Sequence, residues 1–217
     1  MLAVGTSSAV ELSFDGSHIS GTNTSTYTFS AAAPAANATD IVVVTIFGGT
    51  ETRTVSSVTV DGNAMSLIVA SNGVEACAIY AYAGSTSTSG NIVVSWSNNQ
   101  GRCGIGVYVL SNASVTASDT ATTTDTSGAI TTTIDCPANG CIIGVVGCRS
   151  GNDSDPAEFS WSGITENYDE QVENGNDASQ TGASDIFMVA QTALSISCTP
   201  NRSYVAGRMA LASFGPA

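Results

Sequence analysis

The sequence contains no lysine, one histidine and only five arginines among its 217 residues. Aspartate and glutamate together number 18, so the formal net charge is −13 at pH 7. Proteins bind nucleic acid largely through lysine and arginine contacts to phosphate, and anionic membrane surfaces attract the same side chains. The scarcity of basic groups therefore predicts that neither nucleic acid nor a membrane is a partner.

Long apolar runs are also lacking. No segment approaches the roughly 18 consecutive apolar residues that a membrane-spanning helix needs. The first eight residues, MLAVGTSS, carry neither the basic nor the apolar stretch of a secretion signal. We therefore expect the chain to be made and folded in a cytoplasm.

What the sequence does contain is strand-like. Apolar residues make up 42% of the chain, enough for a core, and charged residues only 11%, against a usual share of about 25%. Short apolar runs alternate with spacers rich in Ser, Thr, Gly and Asn, and no window has a helical period. The clearest strands are predicted at 40–47, 91–97, 105–110 and 141–148. The first and last of these are apolar on both faces, which is typical of central strands.

One hairpin is predicted in detail. Asp61 and Gly62 form a turn between two alternating arms, which directs Val58, Val60, Met65 and Leu67 toward the core. Further strands are predicted at 11–14, 25–30, 76–82, 129–134, 186–191, 193–198 and 205–214. About a dozen strands at such spacing indicate an all-β fold, a single two-sheet β-sandwich of jelly-roll type. The sandwich is expected to span residues 1–217 as one domain, with a long polar loop near 117–128.

The order of the segments carries a resemblance. VSSVTVDGNAMSLIVASN is followed by AIYAYAG, GNIVVSWS, GVYVLSNAS, a Thr-rich spacer, GCIIGVVGC, a Trp-Ser-Gly stretch and the closing AGRMALASFGPA. This order resembles the β-sandwich modules of bacteriophage virion structural proteins, which also recur in some bacterial surface proteins. In phages, such modules are similar to capsid-decorating, head-fibre or tail-appendage domains. The resemblance carries over no catalytic or binding residues.

The resemblance and the composition together lead to an expected function. We expect a non-enzymatic virion structural protein, an exterior capsid decoration or cement protein that docks on the lattice of the major capsid protein. It would be a homo-oligomer, with a trimer as one form, assembled in the host cytoplasm and located on the virion exterior. A carbohydrate-binding or adhesion module, on a viral tail or a bacterial cell surface, is the alternative.

Catalytic groups are scarce. His18 lies in the sequence Asp15-Gly-Ser-His18, which reads as a surface turn, and any Ser-His-Asp site would have to be built around this one histidine. The Gly-x-Ser-x-Gly elbow of the hydrolases is absent. A glycosidase would need two acids that converge on a cleft, and no such pair stands out. No catalytic residue is therefore assigned, and the chain is not expected to be an enzyme.

Two acidic segments, residues 153–158 and 166–177, are candidate calcium-binding loops. Carboxylates in Asn- and Gly-rich loops suit Ca²⁺, which takes six to eight oxygen ligands, but neither segment has EF-hand spacing. The candidate ligands are Asp153, Asp155, Asp169 and Glu170. Solvated, charged loops are the favoured interpretation.

Trp161 precedes the second acidic segment, residues 166–177, and Tyr168 lies within it; both are the candidate sugar contacts of the alternative function. An aromatic ring can stack on a sugar only when its face is exposed. Packing at the rim of the sandwich is the favoured interpretation of Trp161. Trp96, by contrast, is in phase with Ile92 and Val94 and is expected in the core.

The six cysteines form neither a Cys-x-x-Cys pair nor a zinc pattern. Cys136 and Cys141 could close a turn as a disulfide, and Cys77 and Cys103 could pair across the sheets. The alternative is that all six are small buried side chains.

Overall fold

The computed structural model describes residues 8–49, 51–149, 158–172 and 178–217. These residues form seventeen β-strands and no helix, which confirms the all-β prediction. The first half of the chain contributes β1 (Glu11–Ser20), β2 (Thr24–Phe29), β3 (Ile41–Gly48), β4 (Val55–Val60), β5 (Asn63–Ala64), β6 (Ser66–Ser71), β7 (Ala76–Ala83), β8 (Ile92–Gln100) and β9 (Cys103–Ser111). The second half contributes β10 (Asp119–Asp125), β11 (Ile130–Cys136), β12 (Gly140–Arg149), β13 (Phe159–Ser162), β14 (Thr165–Gln171), β15 (Ala178–Phe187), β16 (Gln191–Pro200) and β17 (Ala206–Phe214).

Each half builds one β-sandwich of two antiparallel sheets. In the first half, inner sheet 1 has the order β1-β9-β3-β7-β6 and outer sheet 1 the order β2-β8-β4-β5. In the second half, inner sheet 2 has the order β10-β17-β12-β15-β14 and outer sheet 2 the order β11-β16-β13. Strand for strand, the two orders are the same, except that β5 has no counterpart. The fold is therefore an internal repeat of one strand arrangement.

The four sheets stack as four layers with three apolar cores between them. On β3, Val42 and Val44 face outer sheet 1, where they meet Val94 and Trp96. The alternate residue, Val43, faces inner sheet 2. The core between the two inner sheets contains mainly Ile41, Val43, Phe47, Tyr108, Ile143, Val145 and Phe214. The core between inner sheet 2 and outer sheet 2 contains mainly Ile134, Ile142, Val146, Ile196 and Met209.

This layering explains which sequence predictions held. Strands β3 and β12 are buried along nearly their whole length, as predicted for 40–47 and 141–148, because each has a core on both faces. Trp96 is in the core, as predicted. The number of sheets was wrong: the structure has four where two were predicted. The assignment of residues 1–217 to one domain stays a prediction.

The predicted hairpin is confirmed up to Met65. Asp61 and Gly62 both have positive φ angles, of 49° and 79°, and Val58, Val60 and Met65 are buried. Leu67 is 54% exposed, so its predicted core position is wrong. The reason is that the chain leaves outer sheet 1 at Met65 and enters inner sheet 1 as β6, which breaks the alternation.

Two stretches that looked like loops are strands. The polar stretch near 117–128 contains β10, an edge strand that pairs with β17 along its length, because its threonines suit an extended strand with one exposed face. The predicted turn at His18 lies within β1, where a bulge between Phe14 and Gly16 carries Asp15 and the strand continues opposite β9.

A third error concerns β15. Its first seven residues are buried although most are small or polar, and the sequence analysis placed a strand at 186–191 instead. Residues 188–190 are in fact the turn between β15 and β16. Small side chains suffice on β15 because β12 and β14 flank it and large residues from inner sheet 1 lie above it.

The close approach of the inner sheets gives the first prediction. An added Cβ on Gly147 of β12 would lie 2.0 Å from Cδ2 of the Phe47 ring. We expect Gly147→Ala to lower the free energy of unfolding by about 1–3 kcal/mol, because a packed ring cannot move aside freely. Chemical denaturation measures this difference.

The matched control is Gly16→Ala, where no atom lies within 4 Å of the added Cβ. It should change stability by less than about 0.5 kcal/mol. Adding Phe47→Leu to Gly147→Ala should restore part of the loss. Equal stability of the two alanine variants would contradict the close packing described.

Candidate functional site

The structure describes two of the four candidate calcium ligands, Asp169 and Glu170, and does not bring these two together. Asp153 and Asp155 lie outside the described residues. Asp169 and Glu170 are neighbours on β14, so their side chains point to opposite faces of inner sheet 2. Asp169 Oδ2 accepts a hydrogen bond from the Phe159 N–H at 3.0 Å, on the side of outer sheet 2. Glu170 Oε1 accepts one from the Ser17 hydroxyl at 2.6 Å, on the side of inner sheet 1.

The electrostatics of Asp169 reflect its crowded surroundings. Loss of solvent around its carboxylate raises its pKa, and Glu158 and Glu170 add to that rise. The hydrogen bonds from Phe159 and Thr181 lower the pKa but do not cancel it. In the parts of the chain that the structure describes, no three His, Cys, Asp or Glu side chains come together as metal ligands would.

The two candidate sugar contacts are packed. Tyr168 is 7% exposed; its ring stacks on Phe14 at a centroid distance of 5.4 Å, and its hydroxyl lies 3.2 Å from Thr45 Oγ1. In this position the ring offers no face to a sugar. Trp161 is half-buried against the core of the second sandwich, and its indole N–H donates to Thr181 Oγ1 at 2.9 Å.

The six cysteines are all buried, free thiols. Burial raises the pKa of each of them: Cys136 to about 11, Cys103 and Cys141 to about 12, with Cys77, Cys148 and Cys198 also raised. A thiol with such a pKa is a poor nucleophile at neutral pH. The interpretation of the cysteines as small buried side chains is the one the structure supports.

Positive charge is gathered at one end of the stack, which we call the arginine end. It is the end where β6 turns into β7 and where β12 stops. All five arginines of the chain lie there: Arg53, Arg102, Arg149, Arg202 and Arg208. Register shows this directly, since Arg149 pairs with Ala206, Arg208 pairs with Gly147, and Arg53 bridges to Gly73 in the β6–β7 turn.

Two of these arginines, Arg149 and Arg208, join the two sandwiches. Glu75, in the β6–β7 turn, is fully buried, and its Oε1 lies 3.6 Å from Arg149 Nε of the other sandwich. Arg208 donates from Nε to the Val74 carbonyl at 2.6 Å, so tightly that a Cβ on Gly73 would collide with its guanidinium. These contacts form a polar clasp between the two sandwiches.

The opposite end, which we call the crossover end, carries the connection between the sandwiches, residues 112–118. There the Ser114 N–H donates to the Gly215 carbonyl at 2.9 Å, and the Val10 N–H donates to the Asn139 carbonyl at 2.9 Å. Among the described residues, five acidic side chains at this end are at least partly exposed: Glu11, Asp61, Asp119, Asp135 and Asp185. No arginine lies at this end.

Exposed apolar side chains also concentrate toward the crossover end. The structure describes seven large ones, and five of them lie there: Leu67, Val115, Ile186, Met188 and Val189. Three of the five belong to the β15–β16 turn and the strand end before it, which we call the apolar tip (residues 186–189). Met188 is 65% exposed and Val189 71% exposed, so most of each side chain is open to solvent.

The internal repeat provides a comparison for the apolar tip. The corresponding connection in the first sandwich, residues 84–91, is polar, and it is held at Thr86 while most of its other residues are exposed. Thr86 pairs with Ala36 through two backbone hydrogen bonds and donates its hydroxyl to the Pro34 carbonyl at 2.6 Å. Ala36 and Pro34 belong to the long β2–β3 connection, whereas the corresponding β11–β12 connection is only residues 137–139. The second sandwich therefore has no connection of comparable length between β11 and β12 to hold its tip.

Comparison with known proteins adds no family. No protein-family model matches the chain, and no curated protein matches it in sequence. The described segments contain no helix long and apolar enough to cross a membrane. The candidate site therefore depends on geometry and charge alone, and these single out the crossover end.

The site was not predicted from the sequence, because residues 186–191 have the apolar pattern of a strand. The signal was present in FMVA, a short apolar run with no polar alternation, at a point where the first half of the chain has GSTSTSG. Recognition of the internal repeat would have aligned the two runs and exposed the contrast. The clasp gave no sequence signal, since Glu75 and Arg149 are far apart in the chain.

The polar clasp gives the second prediction. We expect Glu75→Gln to lower the free energy of unfolding by about 1–3 kcal/mol, because Arg149 loses its buried counter-charge. The loss is moderate because the Arg149 side chain remains partly exposed to water. Glu51→Gln is the control, since Glu51 faces Arg53 at 3.7 Å on the surface. That control should cost less than about 0.5 kcal/mol. Equal effects of the two changes would show that the clasp does not couple the sandwiches.

The third prediction concerns the thiols. We expect none of the six to react rapidly with a disulfide reagent at pH 8 in the folded protein, and all six to react in denaturant without prior reduction. Absorbance of the released thiolate measures the number. Fewer than six in denaturant, restored by a reducing agent, would reveal a disulfide that the structure does not contain.

Proposed function

We propose that this chain is a non-enzymatic virion structural protein, an exterior capsid decoration or cement protein that docks on the lattice of the major capsid protein. The observation that carries the proposal is the apolar tip, where Met188 and Val189 stand exposed at an end that is otherwise acidic. Soluble proteins that expose such groups together generally use them to bind. The rest of the molecule is a rigid stack of sheets that presents this end.

The strand order supports the fold type that the sequence analysis expected. The first sandwich has β1, β9, β3 and β7 side by side in one sheet, with β6 added at its edge, and β2, β8, β4 and β5 in the other. We propose that both sandwiches are variants of the jelly roll, in which eight strands form two four-stranded sheets. The first sandwich adds β6, and the second adds β14 and lacks a counterpart of β5. Jelly rolls occur in viral capsid proteins, and also in lectins and cupins, so this support is by analogy of fold.

Docking would stabilise a shell by mass action. A protein that binds the assembled lattice but not its separated subunits shifts the equilibrium toward the lattice, more so when it touches several subunits at once. The negative charge of the chain would keep free copies apart until they reach the particle. A homo-oligomer on the particle, for which a trimer is one form, would use surfaces other than the acidic crossover end. Assembly would follow synthesis in the host cytoplasm.

The fourth prediction tests this function on particles. Particles assembled without the chain should lose integrity at a lower temperature and after milder osmotic shock than complete ones, and purified protein added back should restore resistance. Cosedimentation and dye access to the packaged genome measure binding and integrity. Particles of an unrelated phage are the control.

Two results would contradict the function in different ways. Binding to the particles without any gain in their resistance would exclude a cementing role and would still agree with decoration. Absence of binding to the particles would remove the proposed function altogether.

A further inference from the structure

We propose that the crossover end is the docking face, and that its partner is a protein surface with an apolar pocket surrounded by lysine or arginine. The docking face consists of the apolar tip and the five acidic residues Glu11, Asp61, Asp119, Asp135 and Asp185. This inference rests on the proposed docking function and adds to it the face used and the chemistry of the partner.

The apolar part of the face is specific to one half of the repeat. In the first sandwich, the equivalent connection is hydroxyl-rich, and its Thr86 is bonded to Ala36 and Pro34 of the β2–β3 connection. In the second sandwich, Met188 and Val189 stand exposed at the same topological position. Two copies of one arrangement thus differ in chemistry at this point, which is expected if the second tip inserts into a partner.

The charged part of the face sets the sign of the partner. All five arginines lie at the arginine end, and the chain has no lysine, so the crossover end has carboxylates without basic neighbours. Asp135 and Asp185 lie on the strands next to the tip, at β11 and β15. Some of these carboxylates accept backbone hydrogen bonds, as Asp135 does from the Ala193 N–H at 2.6 Å. Such neutral donors leave the negative charge of the carboxylates in place. A partner surface with lysine or arginine around its pocket would therefore complement the docking face.

Charge also disfavours other partners for the docking face, namely a second copy of the chain, a membrane or a nucleic acid. Two crossover ends would bring like charges together, which disfavours a second copy in a tip-to-tip arrangement. A tip-to-arginine-end arrangement meets arginines that already have partners, such as Arg149 with Glu75 and Arg208 with Val74. Anionic membranes and nucleic acids are repelled by the same carboxylates.

The experiment measures binding of full-length variants to particles assembled without the chain. Met188→Ser combined with Val189→Ser should weaken binding by at least about tenfold, because an inserted apolar anchor is lost. Asp135→Asn combined with Asp185→Asn should weaken binding by severalfold at low salt, and the difference should vanish at high salt. Asparagine retains one acceptor oxygen, so Asp135→Asn can keep the hydrogen bond from the Ala193 N–H. Asp185→Asn can keep only one of its two bonds, which come from the Ile186 N–H and the Thr165 hydroxyl.

Matched controls come from the arginine end. Val205 is 50% exposed there, and Val205→Ser removes an exposed apolar group outside the docking face. Asp125→Asn removes a partly exposed charge at the same end. Both should bind within about twofold of the unchanged protein, a difference too small to mark a hot spot. If the tip variants bind normally, or the controls lose as much, the inference is overturned while the docking function stands.

A second probe separates the inference from the proposed function. A synthetic peptide of alternating leucine and arginine is titrated into the isotope-labelled full chain, and amide shifts are followed by NMR. The inference expects the shifts to centre on residues 185–190 and to disappear in the Met188→Ser, Val189→Ser variant. Shifts centred elsewhere overturn it, whether or not particles are bound.

Sedimentation of the protein alone tests the remaining alternative, that the tip binds a second copy of the chain. The inference expects the same oligomeric state for the unchanged chain and the tip variant. An oligomer that the tip variant dissolves would make the tip an interface between copies and would overturn the proposal of a basic partner.

Discussion

The face-to-face packing of the two inner sheets is the interaction on which the rest of this structure depends. Phe47, Tyr108 and Phe214 are fully buried in the core between these sheets, although each belongs to a different strand. Neither sandwich could leave the apolar face of its inner sheet exposed to water, since burial of apolar surface is the main favourable term in folding. The repeat therefore produces one four-layer body, and each outer sheet is held at a fixed distance from the other.

This packing also decides where charge can go. With three apolar cores in series, the described residues bury only three acidic or basic side chains, Asp40, Glu75 and Arg102. Glu75 lies beside Arg149 of the other sandwich, whereas Asp40 accepts hydrogen bonds from Ser111 and Asn37. The arginines are gathered at the end where Glu75 lies, so the crossover end is left with carboxylates and the apolar tip. The surface proposed for docking is thus a consequence of how the interior is stabilised.

Sequence reasoning went far on single strands and failed on their assembly. Two-sided apolar patterns identified β3 and β12 as central, and Asp61-Gly62 was placed correctly in a hairpin turn. Threonine-rich β10 and small-residue β15 were missed, because an edge strand needs little apolar content and a strand under large neighbours needs only small side chains. The number of sheets depends on which faces meet, which no local pattern encodes. Of the candidate site, the acidic composition was read from the sequence, but the apolar tip was read as a strand.

The central claim is that the inner sheets make the two sandwiches one cooperative unit, and amide hydrogen exchange of the native protein tests it most directly. Inner strands of both halves, β3 and β7 with β12 and β17, should exchange slowest and at a common rate set by global unfolding. The outer sheets should exchange faster. Slow exchange in the inner strands of one half, with markedly faster exchange in those of the other, would show two sandwiches that unfold independently and would contradict the account.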